Sequence, residues 1–144
     1  MGARTESAGR VALLGAVPLL SGLAPAQLER IAASSHEGSY ENGATIVREG
    51  EKGMGLYLLL RGTAEVRRHG RVVSSLTKGE FFGEAALLVD EPRTADVRAT
   101  SRVDCLILTR WDFWAAVGID PQVNQALFEE TVQRLRGFRT ELIE

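Results

Sequence analysis

A single cysteine, Cys105, in a chain of 144 residues excludes an internal disulfide framework and fits a reducing compartment. No stretch reaches the roughly 18 consecutive apolar residues of a membrane-spanning helix. The opening residues, Met1 to Arg10, are polar and lack the apolar segment of a signal peptide, so the expected location is cytoplasmic. A basic excess is also missing. With 17 basic and 19 acidic residues the net charge is −2, and no basic stripe is visible, which argues against direct nucleic-acid binding. The run G-x-x-x-x-G-K-S/T does not occur, so a nucleoside triphosphate with its lysine and magnesium is a poor candidate ligand. The only two histidines, His36 and His69, are far apart in sequence and make a poor metal site. They read as surface or turn residues. No repeat of 20–50 residues and no low-complexity segment is present.

What the chain does have is ordinary globular composition, 44% hydrophobic and 25% charged, enough for one domain with a real core. The expected organisation is a polar tail and connector over 1–16 and a single domain over 17–143. Within that domain a β region spans about 36–110 and C-terminal helices about 111–143. The apolar stretch Val11 to Leu20 holds Gly15 and Pro18 and reads as a buried connector. Pro25 opens a helix with Leu23, Leu28, Ile31 and Ala32 at helical spacing. Eight of the 15 glycines fall between Gly43 and Gly83, separating short apolar runs such as Thr45-Ile46-Val47, Leu56 to Leu60 and Val72-Val73. Short strands between frequent turns predict a sandwich or barrel.

Arg68-His69-Gly70-Arg71 reads as a hairpin tip. Ala95, Val97 and Ala99 alternate with polar residues as in a half-buried strand, and Val103 to Leu108 gives another strand. A last helix is expected from Asp120-Pro121 to Ile143. Its Phe128, Thr131, Leu135, Phe138 and Leu142 follow gaps of three and four residues, while Gly137 weakens it by up to about 1 kcal/mol. That stripe can pack on its own β region, cover a ligand or pair with a second subunit. Arg134, Arg136 and Arg139 read as solvated charges unless the helix closes over a ligand.

One run carries chemistry: Phe82-Gly83-Glu84-Ala85-Ala86-Leu87-Leu88, then Pro92-Arg93-Thr94-Ala95. Read as a short helix entered through glycine, it offers backbone N–H groups without intrahelical partners to an anion. Ala85 and Ala86 let a ligand come close to the backbone. Glu84 can compensate the helix dipole or accept from a sugar hydroxyl. Arg93, just after Pro92, presents a planar fork suited to two phosphate oxygens. One arginine and one helix terminus suit a single negative charge, and a cyclic phosphodiester with one free ribose hydroxyl fits. The plainer readings are that Glu84 and Arg93 merely pair on a surface, that Thr94 serves β-propensity, and that Phe81, Phe82 and Cys105 are core residues.

The run FGEAALLVDEPRTADV resembles the phosphate-binding cassette of the cyclic nucleotide-binding domain family. The likeness extends over roughly Val17 to Ile143 and includes PLLSGLAPAQLERIA and GATIVREGEKGMGLYLLLRGTAEV. The resemblance implies a mainly β fold, an antiparallel jelly-roll barrel flanked by helices, with no catalytic activity and no cofactor. It implies that Glu84 binds the ribose 2′-hydroxyl with help from the Gly83 backbone. It also implies that Arg93 pairs with the cyclic phosphate, assisted by backbone N–H groups near Ala86 and Ala95 and by the Thr94 hydroxyl. Phe82 and Ala85 complete the expected ligand-binding set. The expected ligand is cAMP, with cGMP second, and the expected output is movement of the C-terminal helices. Because the chain stops at Glu144 with no helix-turn-helix, the expected effector is another chain, a second copy, or the rest of a larger protein. The alternatives are an interaction domain that keeps the fold without the ligand, and a small jelly-roll metalloenzyme.

Overall fold

The computed structural model describes residues 2–117. The helix expected over 121–143, with its stripe from Phe128 to Leu142, lies outside the described residues. In chain order the elements are α1 (Gly2–Gly15), α2 (Pro25–Ser34), β1 (His36–Tyr40), β2 (Thr45–Val47), β3 (Gly55–Arg61), β4 (Ala64–Arg68) and β5 (Arg71–Leu76). There follow β6 (Phe81–Phe82), a 3-10 helix (Glu84–Leu87), β7 (Asp96–Ala99), β8 (Val103–Thr109) and α3 (Arg110–Val117). The strands form two antiparallel sheets of four, in the orders β1-β8-β3-β6 and β2-β7-β4-β5. This is a jelly-roll sandwich of two sheets, not one closed barrel.

Sequence dictates three layers. Strands β3 and β8 are apolar on both faces because their sheet lies in the middle. Leu56, Leu58, Leu106 and Leu108 point to the helices and join Leu14, Leu20, Ile31 and Phe113 in one core. Leu59, Val103 and Cys105 point the other way and meet Ile46, Ala64, Val97 and Ala99 of the second sheet. That second sheet has its outer face in water, so its strands alternate: Val97 and Ala99 are buried while Arg98 is exposed.

The expected hairpin tip is a turn between β4 and β5 with His69 at φ 52° and Gly70 at φ 78°. Two consecutive positive φ values are what a type I′ turn requires. Pro25 does open α2, where the side chain of Gln27, three residues into the helix, accepts from the Ala24 N–H at 3.0 Å. The stretch read as tail and connector is different in form. Residues 2–15 are helical and lead into tight turns that bury Val17 and Leu20. Among the described residues no helix is long and apolar enough to cross a membrane.

Candidate functional site

Gly83 enters the 3-10 helix in the left-handed conformation, φ 82° and ψ 17°. A Cβ there would press on the Arg93 guanidinium and lie 2.6 Å from the Gly55 carbonyl oxygen. Glycine is therefore needed twice, for the backbone angle and for the close approach of Arg93. Arg93 is fixed by the loop between β2 and β3. Its N–H donates to Glu51 O at 2.7 Å and its carbonyl accepts from Gly50 at 2.8 Å. Its side chain donates through Nη2 to Gly55 O at 2.9 Å and lies 5.5 Å from the centre of the Tyr57 ring. Tyr57 in turn stacks on Phe82, with centroids 4.9 Å apart and planes 11° apart. Phe81 and Phe82 are half-buried and pack against the helix-side and inter-sheet cores respectively.

Among the described residues Glu84 is the one buried charged side chain, 3% exposed. Its Oε2 accepts from the Leu19 N–H at 3.0 Å, which ties the 3-10 helix to the turns after α1. Its Oε1 is buried and has no hydrogen-bond partner among the described residues. Burial raises the Glu84 pKa, and the Leu19 N–H opposes that rise. Burial lowers the pKa of Arg93, yet a guanidinium stays charged at any ordinary pH. Glu84 and Arg93 thus have separate partners, and no ion pair joins them. Within the 3-10 turn the Ala86 N–H donates to Gly83 O at 3.0 Å.

Phe82, Gly83, Glu84, Ala85, Ala86, Arg93, Thr94 and Ala95 all line one cavity of about 380 Å³. Its other wall comes from the second sheet, including Val66, Arg68, Val73 and Ser74. The sequence reading left this wall unassigned. The signal was present in the alternation of Ala64, Val66 and Arg68 with Glu65 and Arg67, but which strand faces Arg93 depends on long-range pairing.

The remaining titratable candidates do not gather. Burial first, then the charge of Asp104, pushes the Cys105 thiol up to about 12, so it is protonated and inert. His36 lies 3.6 Å from Asp112 and His69 lies 3.6 Å from Glu49, both histidines exposed. Among the described residues no three His, Cys, Asp or Glu side chains come together to hold a metal.

Residues 37–119 match the model of a family described as the cyclic nucleotide-binding domain. The chain belongs to that family. A cAMP-dependent protein kinase regulatory subunit of Schizosaccharomyces pombe is 38% identical over 116 residues, 78% of this chain and 28% of the relative. A cyclic nucleotide-gated potassium channel of Mesorhizobium japonicum is 35% identical over 125 residues, 87% of this chain and 34% of the channel. The chain therefore spans about a third or less of the length of these relatives. Among solved structures, the regulatory domain of Toxoplasma gondii PKA crystallised with cAMP superposes with a TM-score of 0.74. It is 25% identical and covers 97% of this chain and 52% of its own. The N-terminal domain of a transcriptional regulator from Streptomyces coelicolor gives 0.71 at 29% identity, covering 90% and 94%. In this member of the family, the run that resembles the cassette lies on the 3-10 helix and the segment to Ala95.

Proposed function

We propose that the cavity binds cAMP, with cGMP as the weaker ligand, and that binding is signalled by movement of the C-terminal helices. The observation that carries this reading is the pairing, in one cavity, of a positioned arginine with a buried carboxylate that has one oxygen unsatisfied. Arg93 exchanges the neutral Gly55 carbonyl for the cyclic phosphate, a stronger, negatively charged and bidentate partner. The Thr94 hydroxyl and the backbone at Ala95 assist it. Glu84 accepts the ribose 2′-hydroxyl on Oε1, and the small Ala85 and Ala86 let the ligand approach. The solved relative with cAMP supports the choice of nucleotide.

Signalling has a physical route on the helix side. The Trp114 indole N–H in α3 donates to Leu87 O of the 3-10 helix at 2.9 Å. The last carbonyls of α3 accept from α2: Ala116 O from Arg30 Nε at 3.1 Å and Val117 O from Gln27 Nε2 at 3.1 Å. A ligand that makes contacts only in one arrangement of the 3-10 helix shifts the population of all three elements. The effector is a second protein chain, a second copy of this one, or the remainder of a larger protein, and the setting is cytoplasmic, in keeping with the unpaired Cys105.

Calorimetric titration of the chain with cAMP and cGMP tests the proposal. Both nucleotides bind, cAMP more tightly, and Arg93→Ala loses about 2–5 kcal/mol, the scale for one partner of a buried charge pair. Absence of binding by either nucleotide, or full affinity in Arg93→Ala, would sink it.

A further inference from the structure

The Arg93 guanidinium is partly buried with no acid paired to it. The ion pairs among the described residues do not include Arg93, and its side chain donates to a neutral acceptor, Gly55 O, at 2.9 Å. A cation taken out of water needs compensation, and one peptide carbonyl supplies little of it. The second partner is an aromatic face. Arg93 Cζ lies over the Tyr57 ring, 5.5 Å from its centre, inside the range of about 6 Å over which the negative face of a ring attracts a cation. Burial lowers the Arg93 pKa, and Tyr57 opposes that fall.

The ring is itself fixed. In the middle sheet Tyr57 pairs with Phe82 of β6 on one side and Ile107 of β8 on the other. Phe82 stacks on it with planes 11° apart, and its hydroxyl shares a hydrogen bond with Tyr40. The backbone around the guanidinium leaves room for it and little more. A Cβ on Gly53 would lie 3.4 Å from Arg93 Cζ and 3.2 Å from Ala86 Cβ, and one on Gly83 would press on Nη1.

Packing alone would explain an aromatic residue in the inter-sheet core, beside Leu59 and Ile107. What goes beyond packing is how the ring meets the cation. A guanidinium has five N–H donors, and a ring under its flat face occupies none of them. The Gly55 carbonyl takes one, which a phosphate must recover. The ring contact survives that exchange.

Resting on the reading of this cavity as a cyclic nucleotide site, we propose that Tyr57 is the positioning residue of Arg93. Its ring holds the guanidinium in place while leaving the whole fork free for the phosphate. The ordering of a long side chain is thereby completed in the fold before the ligand arrives.

The test is calorimetric titration with cAMP of wild type, Tyr57→Phe and Tyr57→Leu, each repeated in the Arg93→Lys background, with the melting temperature of every unliganded protein. Tyr57→Leu is expected to weaken cAMP about two- to twelvefold, the cost of ordering one long side chain converted to affinity. Tyr57→Phe keeps the face and loses the Tyr40 hydrogen bond, so it should bind as wild type does while melting lower. Lysine has no plane to lay on the ring, so most of the Tyr57→Leu loss should vanish in the Arg93→Lys background. Should Tyr57→Leu not fold, Tyr57→Met fills the space with a flexible apolar chain and carries the same expectation. Wild-type affinity in Tyr57→Leu, an equal loss in Tyr57→Phe, or the same loss in both backgrounds reduces Tyr57 to packing and overturns the proposal, with the cAMP site intact. Failure of wild type to bind cAMP overturns both.

Discussion

Glu84 concentrates the residue-scale physics of this site. Its carboxylate is 3% exposed, with one oxygen on the Leu19 N–H and the other unpartnered. Burial raises its pKa from the usual 4.5, outweighing the lowering effect of the Leu19 hydrogen bond. The folded state therefore holds the Glu84 proton more tightly than the unfolded chain does. By linkage, the contribution of the neutral form is fully present below the unfolded value and is lost as pH rises through the folded one. Glutamine keeps an oxygen for Leu19 but does not ionise. Glu84→Gln should thus gain stability relative to wild type as pH rises above about 4.5, with the two converging toward acid. Denaturant unfolding across pH 4–8 checks this, and a gap that does not change with pH refutes it. The same substitution should weaken cAMP by about 1 kcal/mol, the difference between a charged and a neutral acceptor. A variant more stable yet weaker in binding would mark the buried charge as a functional strain.

At the scale of elements, the decisive piece is the 3-10 helix and the glycine that opens it. Gly83→Ala meets two obstacles at once: a left-handed backbone, and a Cβ lying 2.6 Å from Gly55 O and against the Arg93 guanidinium. The cost is expected at about 1–3 kcal/mol. Because Arg93 must shift to make room, cAMP affinity should fall in the same variant. Thermal melts and titration read the two effects separately, and a variant with wild-type values in both would remove Gly83 from the argument. This element was legible in the sequence because everything that defines it is local: a positive-φ glycine, an acid one residue on, and an arginine shortly after a proline. β3 and β8 were legible for a different reason, since their unbroken apolar runs reflect burial on both faces. The opposite wall of the cavity was not. Arg68 reaches it through the β4–β7 register and the bulge at Val73, and pairing between strands 30 residues apart leaves no mark in either segment alone. The N-terminal zone reads as helical to about Ser35, but the bounds of α1 were not legible, because Gly9 lies within it, Gly15 ends it and its anchoring is tertiary, through Val11, Leu13 and Leu14 against the core.

For the molecule as a whole, the question is how a filled cavity is felt outside it. The middle sheet separates the cavity side from the helices, and the 3-10 helix is the element that touches both. Leu87 is fully buried in the helix-side core, and its carbonyl accepts from Trp114. Gln27 and Arg30 then carry α3 onto α2. Leu19 carries Glu84 onto the turns after α1. The helices before and after the sandwich are therefore both attached to the element that the nucleotide would contact. A ligand at a hundred times its Kd stabilises the folded state by about 2.7 kcal/mol. If coupling runs through Trp114, part of that protection appears as slower hydrogen exchange in α3. Trp114→Phe keeps the aromatic packing but removes the donor, at a cost of about 0.5–1.5 kcal/mol in stability. In that variant cAMP affinity should stay within about threefold of wild type, after correction for stability. The cAMP-dependent protection over residues 110–117 should shrink, while that over the strands lining the cavity persists. Equal protection of α3 in wild type and Trp114→Phe would mean that the nucleotide reaches the C-terminal helices by another path.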